Sequence, residues 1–195
     1  MKKFLFYSMT LILGLILCSG ECTPQDAPEV GVEINSVTWA TRNVAAFGKF
    51  AANPEDAGMF YQWNRATAYT ATDPLTPEWN YTAPSDTWNK ANDPCPNGWR
   101  MPTKDDFEKL LAGANISFEA GGARFTSKTN SNNIYIPFVG MRIGGTSNLS
   151  EVGHQFRLWS STVSDAGSAH SLLRVTITLI SISGGASVRC VKGAK

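Results

Sequence analysis

The residue types that serve catalysis are few in this chain and lack the spacing that catalysis requires. His154 and His170 are the only histidines, and neither has metal-ligand spacing. A hydrolase triad would nominally use Ser160 or Ser161 with a histidine and Asp165, but no nucleophile-elbow pattern surrounds either serine. No glycine-rich phosphate loop is present. The sequence therefore predicts a protein that is not an enzyme and has no cofactor.

Two short groups contain neighbouring acids, namely Asn53-Pro54-Glu55-Asp56 and Asp105-Asp106. Calcium takes about six to eight convergent oxygen ligands, which two short groups do not supply by themselves. Helix capping and loop solvation explain these acids better. We therefore predict no metal site.

Aromatic side chains in a polar segment are the stronger candidates for binding chemistry. The segment 71–98 is rich in Pro, Asn, Asp and Thr and contains Trp79, Tyr81 and Trp88. Long loops inside compact domains are usually functional, and aromatic rings beside Asn and Asp suit sugar stacking or protein contact. We predict that these three residues bind a ligand. The alternative is that they only hold a long loop against the domain.

The charge balance limits the classes of partner that the sequence predicts. The chain has 195 residues, 17 Lys+Arg against 16 Asp+Glu, and 17% charged residues, which is low against about 25% for ordinary domains. Nucleic-acid binders usually carry a basic stripe, so no nucleic-acid partner is predicted. This length fits one domain, or two at most.

The N-terminus predicts export. Lys2 and Lys3 precede an apolar run over residues 4–17. This run is shorter than the about 20 residues that a membrane-spanning helix needs. This pattern indicates a signal peptide over residues 1–20, with an uncleaved anchor as the alternative. Removing it takes away two lysines and no acid, so the net charge changes from +1 to −1. The slight positive excess is therefore a feature of export.

Two cysteines lie beside the predicted cleavage site. Cys18 and Cys22 are both lipidation candidates, although Leu17 and Glu21 are poor preceding residues, so the site stays open between them. Residues 21–30 are short, polar and contain proline, which is typical of a tether. The sequence thus predicts a tether over 21–30, one domain over 31–195 and a possible lipid anchor. The expected location is the cell surface, the outer membrane or the secreted fraction.

The elements that must position these residues are mostly strands. Alternation and aromatic runs predict strands, and 64–69 is helix-capable. The expected strands cover 32–39, 58–63, 134–139, 156–162, 172–182 and 187–192. Gly184-Gly185 is a hairpin signal before the last of these. One helix is well marked by the N-cap Thr103, by an acid at Asp106 and by apolar residues at helical spacing, with Gly113 as its C′ stop.

Several motifs carry a family resemblance. The specific ones are Cys95-Pro96-Asn97-Gly98-Trp99-Arg100-Met101-Pro102-Thr103 and Val188-Arg189-Cys190-Val191-Lys192. Weaker ones are Trp39-Ala40-Thr41-Arg42-Asn43, Phe60-Tyr61-Gln62-Trp63 and Leu158-Trp159-Ser160-Ser161. Over about residues 31–192 the chain resembles the Fibrobacter succinogenes major paralogous domain family of secreted and surface proteins. The resemblance implies an α+β, C-type lectin-like fold with two short helices, a twisted antiparallel sheet and a long irregular loop region.

The resemblance also implies residue roles. Cys95 and Cys190 are its natural disulfide, and the alternative is two free buried thiols. The motif tryptophans are expected in the core: Trp39, Trp63, Trp99 and Trp159. Arg42 and Arg100 either pair with carboxylates or lie on the surface. The implied function is a non-enzymatic, adhesin-like binding module for a glycan or protein. The alternative is a structural component of an envelope or fimbrial assembly.

Overall fold

The computed structural model describes residues 28–165 and 167–195. The predicted signal peptide over 1–20, most of the predicted tether and the lipidation candidates Cys18 and Cys22 lie outside the described residues. Within the described ranges, no helix has the length and apolar character needed to cross a membrane.

Short strands dominate the described part of the chain. Their bounds are β1 Val32–Ile34, β2 Val37–Trp39, β3 Met59–Gln62, β4 Ala68–Thr70, β5 Trp99–Arg100, β6 Ala114–Glu119, β7 Gly122–Ser127, β8 Asn133–Pro137, β9 Met141–Arg142, β10 Leu149–Ser150, β11 Arg157–Asp165, β12 Ser168–Leu173, β13 Thr176–Ser181, β14 Gly185–Ala186 and β15 Val191–Lys192. One α-helix, α1, covers Lys104–Gly113, and a 3₁₀ turn covers Lys90–Asn92.

The strands form four antiparallel sheets. Their orders are β1-β2-β15-β5, β10-β9-β14-β3-β4, β11-β12-β13 and β6-β7-β8. With one α-helix among the described residues, the predicted two-helix, C-type lectin-like α+β fold is wrong, and the protein is mostly β. The physical reason is local. Turn residues interrupt the chain every few positions, so most segments between turns are short. A short segment forms a stable helix only when it packs a continuous apolar face against the core.

The segment expected to be helical after β3 is instead the second arm of a hairpin. Asn64 has φ 56°, a left-handed conformation that Asn tolerates better than most residues, and it turns the chain back on itself. Ala68–Thr70 then pairs with β3, with Met59 opposite Thr70. The helix prediction for 64–69 was therefore wrong, because a backbone turn outweighed side-chain propensity.

Two late expectations also change. The predicted continuous strand 172–182 is a hairpin of β12 and β13, which turns at Arg174 with φ 53° and pairs Leu173 with Thr176. Gly184-Gly185 does not return the chain along β13. Instead, β14 inserts between β3 and β9, pairing Gly185 with Gln62 and with Arg142. The hairpin expected there was wrong.

The structure confirms the predicted helix α1 and its N-cap Thr103. The Thr103 hydroxyl accepts from the Asp106 backbone N–H at 3.2 Å, and the Asp106 carboxylate accepts from the Thr103 N–H at 2.8 Å, which completes a capping box. Phe107 and Leu110 are buried. Gly113 is the last helical residue rather than a C′ residue. A Cβ there would lie 2.3 Å from Asn35, so this glycine allows close packing.

Among the described residues, the core consists of three clusters. The first packs α1 against the first, third and fourth sheets through Trp39, Phe107 and Phe156, among others. The second surrounds Trp63 and Trp159 and contains the Cys95–Cys190 disulfide, whose Cα atoms are 6.0 Å apart. A smaller third cluster lies under Trp79. The disulfide prediction is confirmed, and the two cysteines are not free thiols. The four motif tryptophans are buried, as predicted.

Candidate functional site

Residues 71–98 form the long irregular segment that the sequence predicts. Strand β4 ends at Thr70 and β5 begins at Trp99, with only the 3₁₀ turn Lys90–Asn92 between them. This segment carries all three aromatic residues predicted to bind a ligand. The structure places them in three different environments.

Trp79 is buried, with 4% of its surface exposed. Its indole N–H donates to the Gly144 carbonyl at 3.1 Å, and its ring centroid lies 4.5 Å from that of Tyr69. A Cβ on Gly185 would lie 2.7 Å from the same ring, so the absence of a side chain there makes room for the indole. Trp79 therefore holds the loop to the second sheet, and a ligand does not reach it in this conformation.

Tyr81 is the most exposed of the three, at 60%. Its hydroxyl lies 3.2 Å from the Ser147 hydroxyl, which ties it to the turn before β10. Tyr81 does not line the concavities around Trp88 that are described next. Its predicted binding role stays a prediction.

Trp88 is half-buried and forms a wall shared by two concavities. Its inner side packs against Trp63, with ring centroids 5.4 Å apart. The larger concavity has a volume of about 610 Å³ and is lined by Trp88, Lys90 and small polar side chains, namely Asn64, Ser85, Thr87, Asn89 and Asn92. The other, of about 200 Å³, shares Trp88 and Lys90 and also reaches Arg100 and Lys195.

A third concavity adjoins the one of about 610 Å³. It has a volume of about 330 Å³, shares Asn64, Ser85 and Asn92, and brings in Arg65. We call the 610 Å³ concavity and its two neighbours the Trp88 groove. The groove combines one partly exposed indole with hydroxyl, amide and cationic side chains, which is the composition expected of a site for a polar ligand.

Asn64 supports the groove through hydrogen bonds to the loop that carries Trp88. It is buried at the β3–β4 turn, and its side-chain amide donates to the Thr87 carbonyl at 2.8 Å. Its side-chain oxygen accepts from the Asn89 N–H at 2.8 Å. Asn92 donates to the Asn64 backbone carbonyl, also at 2.8 Å. The loop that carries Trp88 is therefore fixed by side-chain bonds, without a strand partner.

Asp93 supports the groove but presents little charge at its surface. The residue is 2% exposed, and its two carboxylate oxygens accept from the Cys95 and Met101 backbone N–H groups, each at 2.9 Å. Burial raises the pKa of Asp93, and the two backbone hydrogen bonds only partly oppose that shift. The Lys195 ammonium donates to the Asp93 carbonyl at 2.7 Å.

Both arginines singled out in the motifs pair with carboxylates. Arg42 lies 2.9 Å from Glu29, and Arg100 lies 2.7 Å from Asp106. Burial tends to raise the pKa of Glu29 and of Asp106, but hydrogen bonds from these arginines and from nearby threonines outweigh burial and lower both pKa values. Glu29 also shows that the end of the predicted tether is bonded to the domain.

The two serines of the nominal hydrolase triad have other partners. The Ser160 hydroxyl accepts from the Thr162 N–H at 2.9 Å, and the Ser161 hydroxyl donates to the Pro102 carbonyl at 3.3 Å. No hydrogen bond to a histidine from either serine is found in the described ranges. Between residues 28 and 195, leaving out 166, no group of three or more His, Cys, Asp or Glu is arranged to hold a metal ion.

Sequence patterns identify Trp88 but not its neighbours. Asn64, Arg65, Lys90 and Lys195 stand outside every motif, and no periodicity connects them. The one available signal is the density of asparagines near Trp88, since Asn favours turns and local hydrogen bonds. The cations are brought to the groove only by folding.

The chain matches no family model, no curated protein and no solved structure. The resemblance to the Fibrobacter succinogenes major paralogous domain family therefore stays a prediction that depends on the quoted motifs.

Proposed function

We propose that this protein is a non-enzymatic, adhesin-like binding module of the cell surface or the secreted fraction, and that its Trp88 groove takes a glycan. One observation carries the proposal. A half-buried indole forms the wall between two concavities that are otherwise lined by amide, hydroxyl and cationic side chains. Sugars offer an apolar ring face to an aromatic ring and hydroxyl groups to such polar neighbours.

The carboxylates near the groove support binding rather than hydrolysis. Glycoside hydrolases generally use two carboxyl groups that flank the scissile bond, about 5–9.5 Å apart. Among the described residues, Asp93 is the only acid that lines the groove, and backbone N–H groups donate to both of its carboxylate oxygens. The disulfide is consistent with an oxidising compartment and so supports the proposed export.

The test is a glycan array probed with the chain that lacks its predicted signal peptide, with and without calcium. We expect Trp88→Ala to weaken the binding of any captured glycan by about tenfold, equal to about 1.4 kcal/mol. Tyr81→Ala is the matched control, because it removes an exposed ring from the same loop. Unchanged binding by Trp88→Ala, with a glycan bound, would place the site elsewhere.

A second candidate is a structural component of an envelope or fimbrial assembly. Three exposed apolar side chains favour it, namely Val163, Val175 and Leu179, which all lie in the β11-β12-β13 sheet or its turn. Exposed apolar side chains on a sheet suit contact with another subunit. Co-purification of envelope partners that is lost in Leu179→Ser and retained in Trp88→Ala would favour this candidate over the first.

A further inference from the structure

Cations surround the Trp88 groove, although the chain as a whole is almost neutral. Lys90 lines both concavities that share Trp88, and Lys195 lies in the smaller one. Arg65 lines the third concavity. Lys+Arg and Asp+Glu are nearly equal in the whole sequence, so this local excess is created by the fold.

The acids near the groove offset only part of that excess, since Lys195 and Arg100 interact electrostatically with Asp93. Asp93 is buried under the wall and bonded to backbone N–H groups. Asp106 is paired with Arg100 and neutralises that cation alone. Across the described ranges, no carboxylate lies within salt-bridge distance of Arg65, Lys90 or Lys195. A ligand in the groove therefore meets positive potential beside an indole.

We propose that the groove selects an acidic carbohydrate, one whose rings carry carboxylate or sulfate groups. A sugar ring stacks on Trp88, and its anionic group lies beside Lys90. Lys90 is the cation placed for this role because it borders the two concavities on either side of the indole. This inference rests on the proposed function, since it names the ligand class of the same site.

Calorimetric titration of the full exported protein tests the ligand class. The carboxylate arm uses oligogalacturonate and its methyl ester, which keeps the ring and removes the charge. The sulfate arm uses sulfated dextran oligomers and unsulfated dextran of equal length. We expect at least one charged probe to bind about tenfold or more tighter than its neutral partner.

Lys90→Gln and Lys109→Gln form a matched pair of variants. Each removes one positive charge from an exposed lysine, but Lys109 lies on α1 and does not line the groove. We expect Lys90→Gln to weaken binding of the charged probe by about fivefold, the upper range for a partly exposed ion pair, and Lys109→Gln to leave binding unchanged. Melting temperatures of both variants should match that of the unmodified protein.

The outcomes separate the two proposals. Equal binding of charged and neutral probes, with loss in Trp88→Ala, would overturn the acidic ligand and leave the glycan site standing. Equal weakening by Lys90→Gln and Lys109→Gln would show unspecific attraction and also overturn it. If neither charged probe binds while a neutral glycan binds through Trp88, the ligand class is wrong. If no carbohydrate binds, both proposals fail.

Discussion

Trp79 and Trp88 lie in one polar segment of the chain and have opposite surroundings. The indole of Trp79 is buried between Tyr69 and Gly185, and its N–H is bonded. Trp88 packs against Trp63 on one side and borders open space on the other. Aromatic residues in a polar loop therefore do not share one role, because each role depends on what the rest of the fold places opposite the ring.

The two regions are also held in different ways. The Trp79 region is held by a ring that enters the second sheet and by Arg142, which donates to the Thr70 carbonyl at 3.0 Å. The Trp88 region is held by the amides of Asn64 and Asn92 and by the disulfide that follows it. A buried ring and the hydrogen bonds of Trp79 and Arg142 fix the first region, whereas amide hydrogen bonds and a covalent link fix the second.

Removing the disulfide tests the covalent half of this comparison and should have the largest effect. We expect Cys95→Ala with Cys190→Ala to lower the free energy of unfolding by about 4 kcal/mol, since the bond closes a long loop. Hydrogen exchange should quicken more around Trp88 than around Trp79, because Cys95 donates to Asp93 at the groove wall. Equal quickening in both regions would remove the distinction.

Trp79→Ala should have the next largest effect. A buried ring is replaced by a cavity, so we expect a loss of about 3 kcal/mol in urea unfolding. Trp79→Phe is the control, since it keeps most of the ring contact with Tyr69 and loses the bond to Gly144. Ligand affinity of the folded variant should stay unchanged. A loss of affinity as large as that in Trp88→Ala would contradict the separation of the two regions.

Trp88→Ala should cost much less stability than Trp79→Ala. Its ring keeps one face open and makes one aromatic contact, so we expect a loss of about 1 kcal/mol. The measurement is urea unfolding alongside Trp79→Ala under the same conditions. If both variants lose the same free energy of unfolding, Trp88 is a core residue. Its proposed role as an accessible wall of the groove would then be contradicted.

The smallest effect concerns pH and belongs to the Trp88 region. Burial raises the pKa of Asp93 above its ordinary value of 3.8, so the folded chain binds this proton more tightly than the unfolded chain does. The contribution of Asp93 to stability should therefore decrease as pH rises from the unfolded pKa through the folded one. Asp93→Asn should abolish this part of the pH dependence in urea titrations. An unchanged dependence of the free energy of unfolding on pH in Asp93→Asn would contradict this role of Asp93.

Local features of the sequence predicted local structure well. The spacing of Thr103, Asp106 and Phe107 is sufficient for α1, because capping and a one-sided apolar face act within a few residues. The prediction failed where single residues reversed the chain. Asn64 and Arg174 each adopt a left-handed conformation. The turn at Asn64 replaces the expected helix, and the turn at Arg174 divides the expected strand. The flanking pattern of residues predicts neither turn.

The candidate site was predicted in part. Trp88 was identified because an aromatic residue in a polar loop is unusual, but Tyr81 lies away from the groove and Trp79 is buried. The groove cations were missed because Lys90 and Lys195 are far apart in sequence and have no common pattern. Only contacts across the fold bring them to one wall.

Sequence patterns were sufficient to predict the capped helix and the long polar loop, and the motifs led to the paired cysteines. Each depends on neighbouring residues or on a short motif. The four-sheet architecture, the burial of Trp79 and the groove beside Trp88 became visible only in the folded chain. Those depend on which distant surfaces meet. The space that Gly185 leaves for one indole, and the turn at Asn64 that fixes the other, exist only after the sheets have assembled.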